Sequence, residues 1–161
     1  MAEDAYVLKS GKFEIKIPKD LYYSEHNSWA ELENSSIRVG VSDFFQLLLG
    51  DITFIELPSL GEFIQSSKEI GSIESIKAVL DIYSPISGKV IKINPKIQES
   101  PDIVNRSPYE QGWLLQIEPT NLSEDLERLL NAESYVEHVK RQIEEERKRR
   151  AEKEKILEET H

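Results

Sequence analysis

Residues 71–88 read GSIESIKAVLDIYSPISG, and the fold turns on how this run is parsed. Residues 70–76 and 79–83 carry the Ile, Val, Leu and Tyr content of β-strands, and Lys77 stands between them. Gly71 marks one outer end, and Pro85 to Gly88 mark the other. That arrangement predicts a hairpin whose tip presents a single amine to solvent. Taken alone, Lys77 could equally be an ordinary exposed loop lysine; its flanking residues carry the argument.

Outward from this hairpin the pattern stays β. Residues 13–17 (FEIKI) alternate apolar and polar and end at Pro18, the signature of a half-buried strand. Residues 29–32 and 37–41 flank a polar stretch, 33–36, and read as a second hairpin. Ser42 and Asp43 can cap a short helix over residues 44–49, which Gly50 stops. Residues 52–57, 89–93 and 113–117 are further strands, with turns at 58–61 and 85–88. Gly88 is placed in the closing turn, where it would supply a positive φ. Short strands separated by Gly and Pro predict a mainly β sandwich or flattened barrel.

The C-terminal part changes character. A helix is predicted to start at Ser123, with Leu126, Leu129 and Leu130 facing inward. Tyr135, Val136, Val139 and Ile143 then recur at helical spacing. Beyond them the chain is highly charged, with Glu144, Glu145 and Glu146 placed four residues before Lys148, Arg149 and Arg150. This stretch reads as a solvated helical extension, and the lack of apolar residues between Ile143 and Ala151 disfavours a long coiled coil.

Composition narrows the functional classes. The chain has 161 residues, 39% hydrophobic, enough for one core with appendages. The domains expected are an N-terminal extension (1–20), a central domain (21–133) and a charged C-terminal helix (134–161). Cysteine is absent, which removes disulfides, thiolate metal sites and cysteine nucleophiles; His26, His138 and His161 are too scattered to form a metal site. The net charge of -10 is concentrated in residues 1–133, because the acids and bases of 134–161 balance. An acidic domain repels phosphate backbones, so nucleic acid is not the expected partner. No apolar run is long enough to span a membrane, and the first residues lack a signal-peptide pattern, so a cytoplasmic protein is expected. No nucleophile–base pair, phosphate loop or metal cluster is visible, so no catalytic residues are assigned.

Residues 74–78 (ESIKA) followed by Asp81 and residues 84–88 (SPISG) resemble the lipoylation site of glycine cleavage system H proteins. Residues 39–43 (VGVSD), 49–51 (LGD) and 56–61 (ELPSLG) match the family's pattern before the lysine. Residues 100–105 (SPDIVN), Pro108, Tyr109, Gly112 and Trp113 match it afterwards. Neighbouring carrier families differ: biotin carriers show Met-Lys-Met, and the lipoyl domains of 2-oxoacid dehydrogenases show Asp-Lys-Ala.

The resemblance implies a lipoyl-domain-like hammerhead, two facing antiparallel sheets with flanking helices and a C-terminal helical tail. It implies lipoate joined covalently to Lys77, with Glu74, Ser75 and Ala78 read by a lipoate ligase or lipoyltransferase. By the same resemblance, Asp81 and the segment His26, Asn27 and Ser28 line the cleft that receives the loaded arm. The implied protein is a non-catalytic carrier. It takes an aminomethyl group from glycine decarboxylase (P protein) to aminomethyltransferase (T protein) and is reoxidised by dihydrolipoamide dehydrogenase (L protein). One departure matters: the family has His-Glu-Trp or His-Thr-Trp where this chain has His26-Asn27-Ser28-Trp29, with no acid between histidine and tryptophan. This start is similar to that of the lipoate-binding proteins of bacterial sulfur oxidation. The alternative role is therefore a carrier of sulfur intermediates for a heterodisulfide-reductase-like complex.

Overall fold

In the computed structural model, residues 4–160 are described; Met1 to Glu3 of the predicted N-terminal extension, and His161, lie outside them. The chain runs β1 (Ala5–Ser10), β2 (Phe13–Pro18), β3 (Tyr22–Tyr23), β4 (Ser28–Glu33), β5 (Ser36–Val41) and α1 (Asp43–Leu49). It continues through β6 (Ile52–Glu56), β7 (Phe63–Ile64), β8 (Glu69–Ser75), β9 (Val79–Tyr83) and β10 (Gly88–Ile93). Then come α2 (Lys96–Glu99), α3 (Ile103–Arg106), β11 (Leu115–Pro119), α4 (Leu122–Arg128) and α5 (Ala132–Glu159).

Two antiparallel sheets face each other. The larger has the order β3-β4-β5-β11-β10-β7, the smaller β6-β8-β9. Alternation sends Ile37, Val39, Val90, Leu115 and Ile117 of the large sheet inward, where they meet Ile52, Ile73 and Ile82 of the small one. The predicted hammerhead is therefore present. Closure is incomplete, since the two sheets share a core without sharing strands.

A second core lies outside this sandwich, under the β1–β2 hairpin and the first half of α5. Ile15 and Ile17 of β2 pack there with Trp29, Phe44, Tyr135, Val136 and Val139. Residues 13–17 were expected as a strand, but their partner β1 was not anticipated. It completes a six-residue antiparallel register from Ala5↔Pro18 to Ser10↔Phe13. Trp29, fully buried, donates its indole N–H to the carbonyls of Val41 (3.0 Å) and Pro108 (3.1 Å), joining β5 to the segment after α3.

Three sequence expectations need adjusting. Gly88 does not have a positive φ; it opens β10, and a Cβ there would lie 2.2 Å from the Glu118 carbonyl oxygen of β11. Its role is close strand approach. The helix expected at Ser123 begins one residue earlier, after Asn121, and ends at Arg128, so Leu130 leaves it to bridge Tyr23 of β3. On α5, the close charge pairs are spaced three apart, Glu144–Arg147 and Glu146–Arg149, because the long arginine side chains reach the neighbour a turn away at either spacing.

The second core contains hydrogen-bonded polar groups. The Tyr135 hydroxyl donates to Asn27 Oδ1 (2.7 Å) and meets Ser42 Oγ at 2.7 Å, while Ser42 Oγ also accepts from the Phe45 amide as the α1 cap. Tyr23 stacks on Tyr135 with ring centroids 4.3 Å apart and donates to the Pro18 carbonyl. Burial pushes both phenols well above their ordinary value of 10.0. The fold therefore keeps both protonated, whereas the unfolded chain releases both protons near pH 10. Stability contributed by these groups is intact below that pH and is lost as pH rises past it. We expect the unfolding free energy to fall above pH 10 by up to about 1.4 kcal/mol per pH unit per tyrosine. Urea midpoints between pH 8 and 11 check this, and Tyr135→Phe should make the decline shallower.

Candidate functional site

Lys77 occupies the tip of the β8–β9 hairpin. The two strands pair from Glu69↔Tyr83 to Glu74↔Val79, and β6 flanks β8 on the other side, from Glu56↔Ser72 to Ile52↔Ser75. Inward residues Ile73 and Ile82 anchor the hairpin in the main core. At the tip, the Ser75 amide donates to the Ala78 carbonyl (2.8 Å), and Ser75 Oγ accepts from the Ala78 amide (3.2 Å). Ile76 and Lys77 are the two residues across this turn, and neither needs a positive φ. Ile76 is 91% exposed and Lys77 is exposed beside it. Ser75 and Ala78, read from sequence as recognition residues, thus also close the turn that holds the amine out.

The ground beneath the lysine is built by a residue from another segment. Gly50, at the end of α1, has φ 79° and ψ -152°, and a Cβ there would lie 3.1 Å from Lys77 Cε. The aliphatic stem of Lys77 therefore lies over Gly50. Asn105, from α3, donates through Nδ2 to the Gly50 carbonyl (2.8 Å) and to Gln46 Oε1 (2.9 Å), and its Oδ1 accepts from the Ile52 amide (2.9 Å). Both amide hydrogens and one of the two carbonyl lone pairs are used. One side chain thus fixes the end of α1, the turn and the start of β6. Sequence reading identified Gly50 as a helix stop and matched Asn105 only within the family-like stretch 100–105; their meeting under Lys77 has no local sequence signal.

The outer face of the small sheet is acidic near the tip. Val79, Asp81 and Tyr83 alternate outward along β9, with Glu74 and Ser72 opposite Val79 and Asp81. Phe54 of β6, opposite Glu74, is 53% exposed. Asp81 is four residues from Lys77, about 13 Å along a strand. An amide-linked lipoyl-lysine is about a dozen bonds and on the order of 15 Å when extended. Asp81 is within that span.

The other expected cleft residues behave differently. Asn27 is buried with φ 69° and accepts from Tyr135. Ser28 is buried and pairs with Ser24 Oγ at 2.6 Å. Both side chains are turned inward and held by these hydrogen bonds. His26 is half-exposed and stacks on Tyr83, centroids 4.1 Å apart. It stands at the far end of the β9 strip, about 20 Å from the tip by strand rise. The structure brings Asp81, Glu74 and Lys77 onto one hairpin and leaves Asn27 and Ser28 out of it.

A family described as Glycine cleavage H-protein matches residues 21–142. The chain belongs to this family. It is 46% identical over 126 residues to a glycine cleavage system H protein of Geobacillus sp. (strain WCH70), covering 78% of this chain and 98% of that protein. It is 44% identical over 123 residues to the H protein of Bacillus subtilis (strain 168), covering 76% and 96%. The crystal structure of a glycine cleavage system H protein from Mycobacterium marinum superposes with a TM-score of 0.69 at 30% identity, covering 74% of this chain and 95% of that one. Glycine cleavage H proteins are lipoyl carriers, non-catalytic components of a multienzyme system. No described helix is long and apolar enough to cross a membrane, and no described group of His, Asp and Glu could hold a metal ion.

The hairpin fits a covalent acyl group on its lysine: the amine is exposed, its stem is supported, and the turn is closed without it. Asn105→Ala leaves Lys77 in place but removes three hydrogen bonds beneath it. We expect a loss of about 1–3 kcal/mol of stability and faster hydrogen exchange at the Ile52 amide. Unchanged exchange at Ile52 would mean that Asn105 does not set this corner.

Proposed function

We propose that Lys77 carries lipoate and that the protein shuttles an aminomethyl group from glycine decarboxylase (P protein) to aminomethyltransferase (T protein), with dihydrolipoamide dehydrogenase (L protein) restoring the disulfide. The observation that carries this reading is the exposed amine at a braced hairpin tip, in a chain of the glycine cleavage H-protein family. When bound, lipoate supplies a dithiolane on a long arm, and the protein's part is placement. Residues 21–133 form the carrier domain in this reading, with residues 1–20 and 134–161 as additions to it, and its compartment is the cytoplasm.

Each residue has a separate task. Lys77 offers its amine for amide formation by a lipoate ligase or lipoyltransferase. Glu74 stands on the tip's outer face as a recognition group, while Ser75 and Ala78 keep the turn in one shape for that enzyme. Asp81 provides a carboxylate within arm's length, and it attracts a cationic amine cargo by charge pairing. The alternative role in sulfur transfer draws on the uncharged Asn27 and Ser28. Both side chains are committed to Tyr135 and Ser24, so their lack of charge does not alter the field along the arm's path.

Intact mass of the protein expressed with lipoate tests the attachment. We expect one lipoyl adduct on the wild type and none on Lys77→Arg, which should fold normally. The lipoylated protein should then load with glycine in the presence of glycine decarboxylase. Asp81→Asn should still be lipoylated but should retain the amine cargo several-fold less well, as expected for loss of one partly screened charge pair. Lipoylated protein that glycine decarboxylase cannot load, beside an H protein that loads, would point to the sulfur carrier instead.

A further inference from the structure

A groove of about 460 Å³ lies away from the lysine hairpin's outer face, between the tip of the β1–β2 hairpin, α1 and α5. Its floor is apolar, with Ile15 and Phe44 buried and Ile143 partly so. Phe13 (52% exposed) and Leu48 (36%) form its open walls. Lys12, Arg147 and Arg150 stand at its rim and outnumber the one acid there, Glu146, which is already paired with Arg149. An occupant must therefore be apolar at its centre and acidic at its edges.

The chain contains such a segment. From Arg147 to Thr160 every residue of α5 and its cap is exposed. Within it, residues 154–159 read EKILEE: Ile156 and Leu157, just over half exposed, are bracketed by Glu154, Glu158 and Glu159. Leu157 lies fourteen residues after Ile143, nearly four full helical turns, and so projects from the same side of α5 as the groove. The helix also keeps Leu157 about 21 Å from Ile143 in the same molecule. It cannot fold back onto its own groove.

We propose that the groove receives the C-terminal end of α5 from a second copy of this chain. Two α5 helices run antiparallel about a two-fold axis near Arg150. The Ile143-to-Leu157 spacing is the same in both copies, so each Leu157 reaches the partner groove at once, the self-complementary condition of a two-fold contact. Glu154 of each tail then lies within one residue of the level of Arg147 of the other copy, and Glu158 and Glu159 lie level with its Gln142 and Arg141. The two Arg150 side chains approach at the axis, each with a Glu154 of the opposite tail a turn away. The contact is small and ion-rich, so it is weak and salt-sensitive.

The absence of cysteine makes the test direct. The full chain, expressed without lipoate, should sediment as a monomer at low concentration and move toward dimer mass as concentration rises. Leu157→Glu should weaken that association by about tenfold or more, since it replaces a docked apolar side chain with a charge. Mixing Leu48→Cys with Leu157→Cys protein under mild oxidation should give the mixed disulfide in excess over either like pair, and salt should reduce it. A chain that stays monomeric at every concentration overturns the proposal. So does a dimer that survives Leu157→Glu, because its contact must lie elsewhere.

Discussion

The structure depends on holding one hairpin tip rigid while leaving its lysine in solvent. A hairpin alone cannot do this, since two strands without a packed face are marginal in water. Here β8 is flanked by β6 as well as β9, Ile73 and Ile82 are sunk in the core, and Asn105 ties the start of β6 to the end of α1 beneath the lysine. The tip is thus supported from a third direction, by helix α3, far away in sequence. The Ser75–Ala78 turn then needs no strained residue, and Lys77 is left free of any structural task.

A second consequence concerns how the acidic charge is used. The sandwich buries its apolar faces against each other, so the outer face of β8 and β9 is where Glu74 and Asp81 can stay solvated. Placing them on the hairpin that carries the amine gives that face a negative field without burying a charge. The second core does different work. It takes Asn27 and Ser28 inward through Tyr135 and Ser24, and with them the loop that carries His26. Stacking on Tyr83 then fixes His26 against the far end of the same strip.

What was legible in the sequence follows the range of the interactions. The Ser42 cap, the β4–β5 hairpin and the Lys77 tip are set by neighbours in sequence, and each is found where its local signal places it. The inward face of α5 was legible for the same reason, since Tyr135, Val136 and Val139 repeat at helical spacing and are buried. The rest is set at long range. Gly88 looked like a turn glycine because Pro85 precedes it, yet its requirement comes from Glu118, thirty residues on. Strand β1 has a partner only because Gly11 lets the chain reverse at φ 60°. Asn27 and Ser28 sit beside a histidine and a tryptophan in a pattern that implies a cleft, but Tyr135, more than a hundred residues away, claims Asn27.

That last displacement bears on what the carrier can carry. The lack of an acid between His26 and Trp29 suggests a cleft poor in negative charge, and so a different cargo. Asn27 has a positive φ and a buried amide, so the loop turns its side chains into the core at that point. An acid there would be buried against the protonated Tyr135, where charge is costly, and would add little to a surface path. In the proposed carrier role the carboxylate that counts is Asp81, on the exposed strand. Asp81 is held in a fixed register behind Lys77 by the same ladder that keeps the tip rigid, so in the proposed carrier role the charge a cationic cargo meets would be set by the hairpin and not by the loop before β4.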